Sequence, residues 1–177
     1  MFQRMFQTTP QVVKNLIILN VLMYVGSGFV GDAVAVPLLA GTYPGSPFFQ
    51  PWQIVTHMFM HGDLGHIFFN MFALFMFGSQ LERVWGPQRF LTYYMICGLG
   101  AFALHELVVG LQFYNELGTF FPGSEQFISS NASPFQRARV LEMVYGRVVG
   151  ASGAVFGLLL AFGMLFPNTQ LMLSVGA

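Results

Sequence analysis

Charge is what this sequence has least of: seven Lys and Arg and seven Asp and Glu among 177 residues, 8% of the chain, against about 25% in an ordinary soluble domain. With a formal net charge of zero and no basic block, the chain has no electrostatic footprint for nucleic acid and no polybasic anchor. A single cysteine, Cys97, excludes an internal disulfide and leaves the redox compartment open; inside an apolar run it reads as a small core residue. Lys and Arg are missing altogether from Gly31 to Asp63. Internal repeats and low-complexity tracts are missing too. What abounds is apolar: 55% of residues are hydrophobic and 16% aromatic. This is the composition of a membrane protein, whose first partner is the lipid bilayer.

Four uncharged or nearly uncharged runs have the length for crossing. The first covers 15–31, close to the roughly 17–25 residues that span a bilayer as helix. With Arg4 and Lys14 before it and Ala33-Val34-Ala35 after it, it also fits a secretory signal peptide; an anchoring helix accounts for the same residues and suits a chain with further apolar runs. Pro37, Pro44, Pro47, Pro51, Gly41 and Gly45 then predict a loop without regular helix from Ala35 to Gln53. Leu38, Leu39, Phe48, Phe49 and Trp52 place that loop, 35–63, in the membrane interface.

An apolar run beginning near His57 supplies a second span, 64–81, closed by Glu82, Arg83 and Arg89. A third, 90–110, follows the helix-stop residues Trp85-Gly86-Pro87. Residues 111–147 hold the breakers Pro122, Gly123, Ser124, Ser129, Ser130, Asn131, Ser133 and Pro134, and read as an extramembrane connection with a short helix over Phe135–Tyr145. The fourth span is 148–166, stopped by Pro167. Residues 168–177 read as the start of an unfinished element. Arg4, Lys14, Arg83 and Arg89 put the amino terminus on the cytoplasmic side by the positive-inside rule; Arg137, Arg139 and Arg147, in the long connection, count against it.

Two stretches carry chemistry. In Gly150-Ala151-Ser152-Gly153-Ala154 small neighbours leave the Ser152 hydroxyl uncovered, in the first turn of a helix whose dipole favours negative charge. That suits a nucleophile; a small-residue helix-packing patch suits the same residues. The second stretch is His57-x3-His61-x4-His66-x3-Asn70. Ionisable groups in a membrane are expensive and point to function. His66 and Asn70, at i and i+4, share a helix face and offer two donors to an oxyanion. His57 and His61 have the same spacing, which suits a metal, although Asp63 faces elsewhere. The better reading of those two is as hydrogen-bonding ties between the loop and the helix.

The His57-to-Asn70 pattern, Glu82-Arg83 and Gly150-Ala151-Ser152-Gly153, in that order, resemble the signatures of rhomboid intramembrane serine proteases, from the first span to about Pro167. The resemblance implies an all-α polytopic membrane protein: a rhomboid-like helical bundle with four of the usual six core transmembrane helices. It implies Ser152 as nucleophile in a Ser–His dyad without aspartate. His66 and Asn70, with the Ser152 backbone N–H, become the oxyanion hole, and Gly150 the motif glycine. Substrates would be transmembrane segments of membrane proteins, with no cofactor and no metal, in a bacterial inner membrane.

Two departures stand out. Trp52 occupies the position of an aromatic residue that precedes an arginine in the family, but Gln53 follows it, removing a charge that would anchor the loop. The family's general base lies on a sixth span. Of the four histidines here, three belong to the second-span pattern, and His105 reads as an interfacial residue paired with Glu106 or water. The dyad histidine is therefore expected to be absent from this chain, which reads as the amino-terminal two-thirds of a protease core. Gly150, Gly153, Gly157 and Ala161 form a small-residue seam whose family partner is the sixth helix, and no partner within the chain is expected. The alternatives are an inactive rhomboid-like protein that binds membrane clients, and a histidine metal site in a helix bundle.

Overall fold

Pro10 precedes helix α1, Gln11–Val30, where a missing N–H and a fixed φ suit a helix start. No local side chain caps α1. Instead the buried Glu82 carboxylate accepts from the N–H of Val12 at 2.9 Å and of Val13 at 2.8 Å, placing negative charge where the helix dipole favours it. Arg83 donates to the Thr8 carbonyl at 2.9 Å, so Glu82-Arg83 ties the start of α1 to the far end of the second membrane helix. The computed structural model describes residues 8–120 and 133–168. Arg4, the breakers Pro122, Gly123, Ser124, Ser129, Ser130 and Asn131, and the segment after Asn168 lie outside them.

Gly31, at φ 89°, turns α1 directly into α2, Asp32–Leu39. The loop expected to lack regular helix from Ala35 onward is thus helical through Leu39, with Pro37 inside. Pro37 is tolerated because it sits in the last turn, where its missing N–H removes one bond and the helix ends two residues later. The carbonyls left over at that end are taken by side chains from the next segment. Gln53 Nε2 donates to the Pro37 carbonyl at 2.8 Å, the Trp52 indole to Leu38 at 2.8 Å, and the Thr56 hydroxyl to Leu39 at 2.7 Å. Gln53 is fully buried, and its Oε1 also accepts from the Gln50 N–H at 3.0 Å. The loss of a charge at position 53 does not unfasten the loop; a neutral amide, which costs less to bury than an ion, holds it.

After a single helical turn, α3, Gln53–Thr56, and a 3-10 turn, His57–Phe59, the chain breaks at Met60 and enters α4, Leu64–Trp85. Asp63 caps α4 by accepting from the His66 N–H at 2.8 Å, which explains why the helix starts there and not at His57. A π-helical stretch, Leu74–Gly78, brings Gly78 against α1 and the following helix, where an added Cβ would lie 3.2 Å from both Val13 and Phe90 side chains. Gly86, at φ 79°, and Pro87 open α5, Pro87–Leu117, of 31 residues. At about 46 Å it exceeds the hydrocarbon core, so it passes through His105 and Glu106 and well beyond the expected end at 110. Helix α6 covers Pro134–Tyr145. Helix α7, Ser152–Leu165, has 14 residues, about 21 Å. It begins later than the apolar run because Val148 pairs with Gly41 in an antiparallel bridge, with N–H···O distances of 2.8 and 2.9 Å.

Helix α7 packs chiefly on α5. An added Cβ at Gly153 would stand 2.5 Å from the Ala101 Cβ, and one at Gly157 would strike the Cys97 thiol; the Tyr93 hydroxyl donates to the Gly157 carbonyl at 2.9 Å. The glycine seam therefore does have a partner within the chain. Cys97, Gly98 and Ala101 form a second small-residue face on α5, and two such faces bring backbones together. Phe90, Tyr94, Leu74, Leu81 and Leu158 fill the core, while Phe29, Leu64, Phe69, Phe156 and Met164 are exposed. Polar Asn20, Asn70, Ser79 and Glu82 point inward. Helices α1, α4 and α5 are long and apolar enough to cross a membrane, and α7 is a shorter apolar helix. The result is an all-α membrane bundle.

Candidate active site

Local geometry delivers Ser152 to the head of α7, partly exposed. Gly150 precedes it at φ 114°, a conformation that only glycine adopts readily, and the Gly150 N–H donates to the His57 carbonyl at 2.9 Å. That bond and the Gly41–Val148 bridge fix the approach to the serine from two sides. A Cβ on Gly150 would lie 2.6 Å from His66 Nε2 and 3.6 Å from Asn70 Nδ2. The tertiary fold thus brings His66 and Asn70, from one face of α4, against the backbone two residues ahead of Ser152. Asn70 is buried and its Nδ2 has no hydrogen-bond partner among the described residues. This is a donor held ready for an acceptor that the described residues do not supply. Ser152 Oγ likewise makes no hydrogen bond among the described residues.

The two upstream histidines differ from each other. His57 is buried, stacks on Phe102 at 4.5 Å and pairs through Nδ1 with the Gln53 carbonyl at 2.9 Å. Since a carbonyl only accepts, Nδ1 carries the proton. Burial holds the His57 pKa below its ordinary value, in keeping with a neutral ring that ties the loop. His61 was expected to make a similar tie and does not. It is buried with both ring nitrogens unpartnered among the described residues, its ring edge-on to His66 at 5.0 Å. Nor do His57 and His61 form the helical pair that a metal site at i, i+4 requires, because the chain breaks between them at Met60. Among the described residues no three His, Cys, Asp or Glu gather for a metal.

Burial, aided by the neighbouring His66, pushes the His61 pKa down to about 4 from 6.5. The unfolded imidazole therefore binds a proton at a pH where the folded one does not. The His61 contribution to stability is level above about pH 6.5, falls as pH drops from there to about 4, and levels off below. The total loss is up to roughly 3 kcal/mol. The stability difference between the wild type and His61→Phe, followed by thermal unfolding in detergent from pH 7 to 4, should shift by this amount; a difference that stays constant with pH would assign the effect elsewhere.

His105 is exposed on α5 and Glu106 is buried beside it. Glu106 Oε2 does not pair with His105 or with any other described residue, since consecutive residues on a helix point about 100° apart. Sequence reasoning passed over Gln53 as the loop's tether and the His57 carbonyl as the anchor for Gly150. A polar residue in an apolar loop was a usable signal for the first. Nothing local signals the second, which is a backbone contact between distant segments.

Comparison with known proteins agrees with the motifs. A family model for the rhomboid domain matches residues 49–176. Among curated proteins, Rhomboid-like protein 15 of Arabidopsis thaliana is 39% identical over 67 residues, covering 38% of this chain and 17% of the relative. RHOMBOID-like protein 12, mitochondrial, of Arabidopsis thaliana is 29% identical over 120 residues, 68% of this chain and 31% of the relative. Rhomboid protease GlpG of Yersinia pestis is 31% identical over 78 residues, 44% of this chain and 28% of the relative. The chain thus spans less than a third of the length of these relatives. With the domain match covering most of its residues and its apolar helices built to cross lipid, the chain is an integral membrane protein that belongs to the rhomboid family.

Proposed function

We propose that this chain carries the nucleophile and the oxyanion-binding half of an intramembrane serine endopeptidase acting on transmembrane segments of membrane proteins. The observation that carries this reading is the apposition of His66 and Asn70 to Gly150, immediately before Ser152 in the first turn of α7. In the reaction, Ser152 Oγ attacks the scissile carbonyl carbon as its proton passes to an imidazole base. The carbonyl oxygen takes up the negative charge. Asn70 Nδ2, His66 Nε2 and the Ser152 N–H donate to that oxygen, and the α7 dipole favours the charge at this end. Collapse of the intermediate expels the amine with the proton from the base, and water then releases the acyl group from Ser152.

None of the four histidines is assigned as the base: His57 is held by Gln53, His66 lies against Gly150 with the His61 ring edge-on to it, and His105 lines a separate cavity. An unactivated hydroxyl is a poor nucleophile, so cleavage depends on an imidazole brought to Ser152. With the amino terminus cytoplasmic in a bacterial inner membrane, His66 and Ser152 both fall toward the outer side.

The test uses the protein in its native membrane. A fluorophosphonate probe should label Ser152, and a transmembrane reporter should be cleaved; Ser152→Ala should reduce both to background. Cleavage that survives Ser152→Ala sinks the assignment. The absence of any hydrogen bond to Ser152 Oγ among the described residues favours one second reading, an inactive client-binding protein. Co-purification of a membrane client that is never cleaved would select it.

A further inference from the structure

A second polar site lies apart from the serine. Between α5, α6 and the Tyr43 loop is a cavity of about 370 Å³. Glu106 lines it from α5, 8% exposed, with Oε2 unpartnered among the described residues. Glu142 lines it from α6, and Arg147 and Val148 line it from the segment leading to Ser152. Of the donors lining the cavity with Glu106, which include His105 and Gln112, two have partners elsewhere. The Tyr43 hydroxyl donates to the Phe120 carbonyl at 2.6 Å. Arg147 donates to the Thr42 hydroxyl at 2.5 Å and lies over the Phe48 ring, 5.4 Å from its centroid. The described lining therefore sets the carboxyl groups of Glu106 and Glu142 beside the Arg147 guanidinium and the His105 imidazole.

A buried carboxylate oxygen left open to a cavity has a strong requirement for a donor, and a cationic donor meets it best. From this geometry we infer that the cavity receives a single cationic side chain, arginine or lysine, of a client polypeptide, with its guanidinium or ammonium on Glu106. A polypeptide is the source because Val148 both lines the cavity and stands four residues before Ser152. Even fully extended, that distance is no more than about 14 Å, so a chain lying at the serine reaches the cavity within a few residues of the bond to be cut. In this the inference builds on the proposed function, though the binding itself does not require cleavage.

The purified protein in dodecylmaltoside micelles is titrated with a fluorescein-labelled tetrapeptide Gly-Ala-Arg-Ala, and with the same peptide bearing citrulline, arginine's neutral isostere, while anisotropy is followed. The arginine peptide should bind about tenfold tighter or more, Glu106→Gln should remove that difference, and Ser152→Ala should leave it intact. Loss of labelling at Ser152 with the arginine preference retained would remove the protease reading and keep this one. Equal binding of the two peptides, or a preference that persists in Glu106→Gln, overturns the inference. Should Glu106→Gln fail to fold, Glu142→Gln, at an exposed position, must weaken the preference, and no change there overturns it as well. Displacement of the arginine peptide by phosphoethanolamine at equal concentration would transfer the site to a lipid headgroup and likewise overturn the assignment to a polypeptide.

Discussion

Alanine at Gly150 should lower serine-dependent cleavage by about two orders of magnitude while leaving the protein folded. Two physical effects act at this one atom. At φ 114° any side chain is strained, by roughly 1–2 kcal/mol, and the new methyl carbon would stand 2.6 Å from His66 Nε2 and 2.7 Å from Cε1. The ring's outer edge is the part that can retreat, so relief is cheap in stability. It is costly in geometry, because Nε2 is the atom proposed to face the oxyanion, and donors work only when held about 2.7–3.1 Å from that charge. The diagnostic result is therefore a split: a melting temperature lowered modestly and cleavage of a transmembrane reporter lowered severely. A folded Gly150→Ala protein that cleaves at the normal rate would separate His66 from the chemistry.

Replacing Glu82 by Ala should cost about 2–4 kcal/mol of stability, the largest purely structural effect expected. The carboxylate is 4% exposed and accepts from two consecutive backbone N–H groups at the start of α1. Removing it orphans both donors beside a helix dipole that then has no counter-charge. Glutamine is a poor rescue, since one of its two polar atoms is a donor and would oppose an N–H. Unfolding in mixed detergent micelles, with proteolysis around Thr9 and Pro10 as a local readout, measures the effect. An unchanged unfolding midpoint in Glu82→Ala would show that water serves as well as the carboxylate.

Much of the architecture could be read in advance, for reasons that differ by element. Helices α1 and α4 follow from the demand that a segment in lipid satisfy its own backbone, so apolar length alone announces them. The shared face of His66 and Asn70 follows from helical spacing. Boundaries were less legible: Pro37 lies inside a helix because it occupies the last turn, and α5 runs on past Glu106 because a buried carboxylate facing a cavity does not end a helix. His61 was misread as a tie because its pattern is indistinguishable from that of His57, which has Gln53 within reach.

The sequence by itself determined the membrane class and the positions of the apolar helices, and it singled out the candidate chemical residues, because each depends on local composition or on a fixed helical period. Only the tertiary structure decided that α5 fills the glycine seam of α7, that Gln53 holds the loop, that Glu82 caps α1 and that His66 meets Gly150. Those outcomes join distant segments through shape and the removal of side-chain bulk. A small-residue face accepts any helix that fits it, and which helix comes is settled by the packing of the whole bundle.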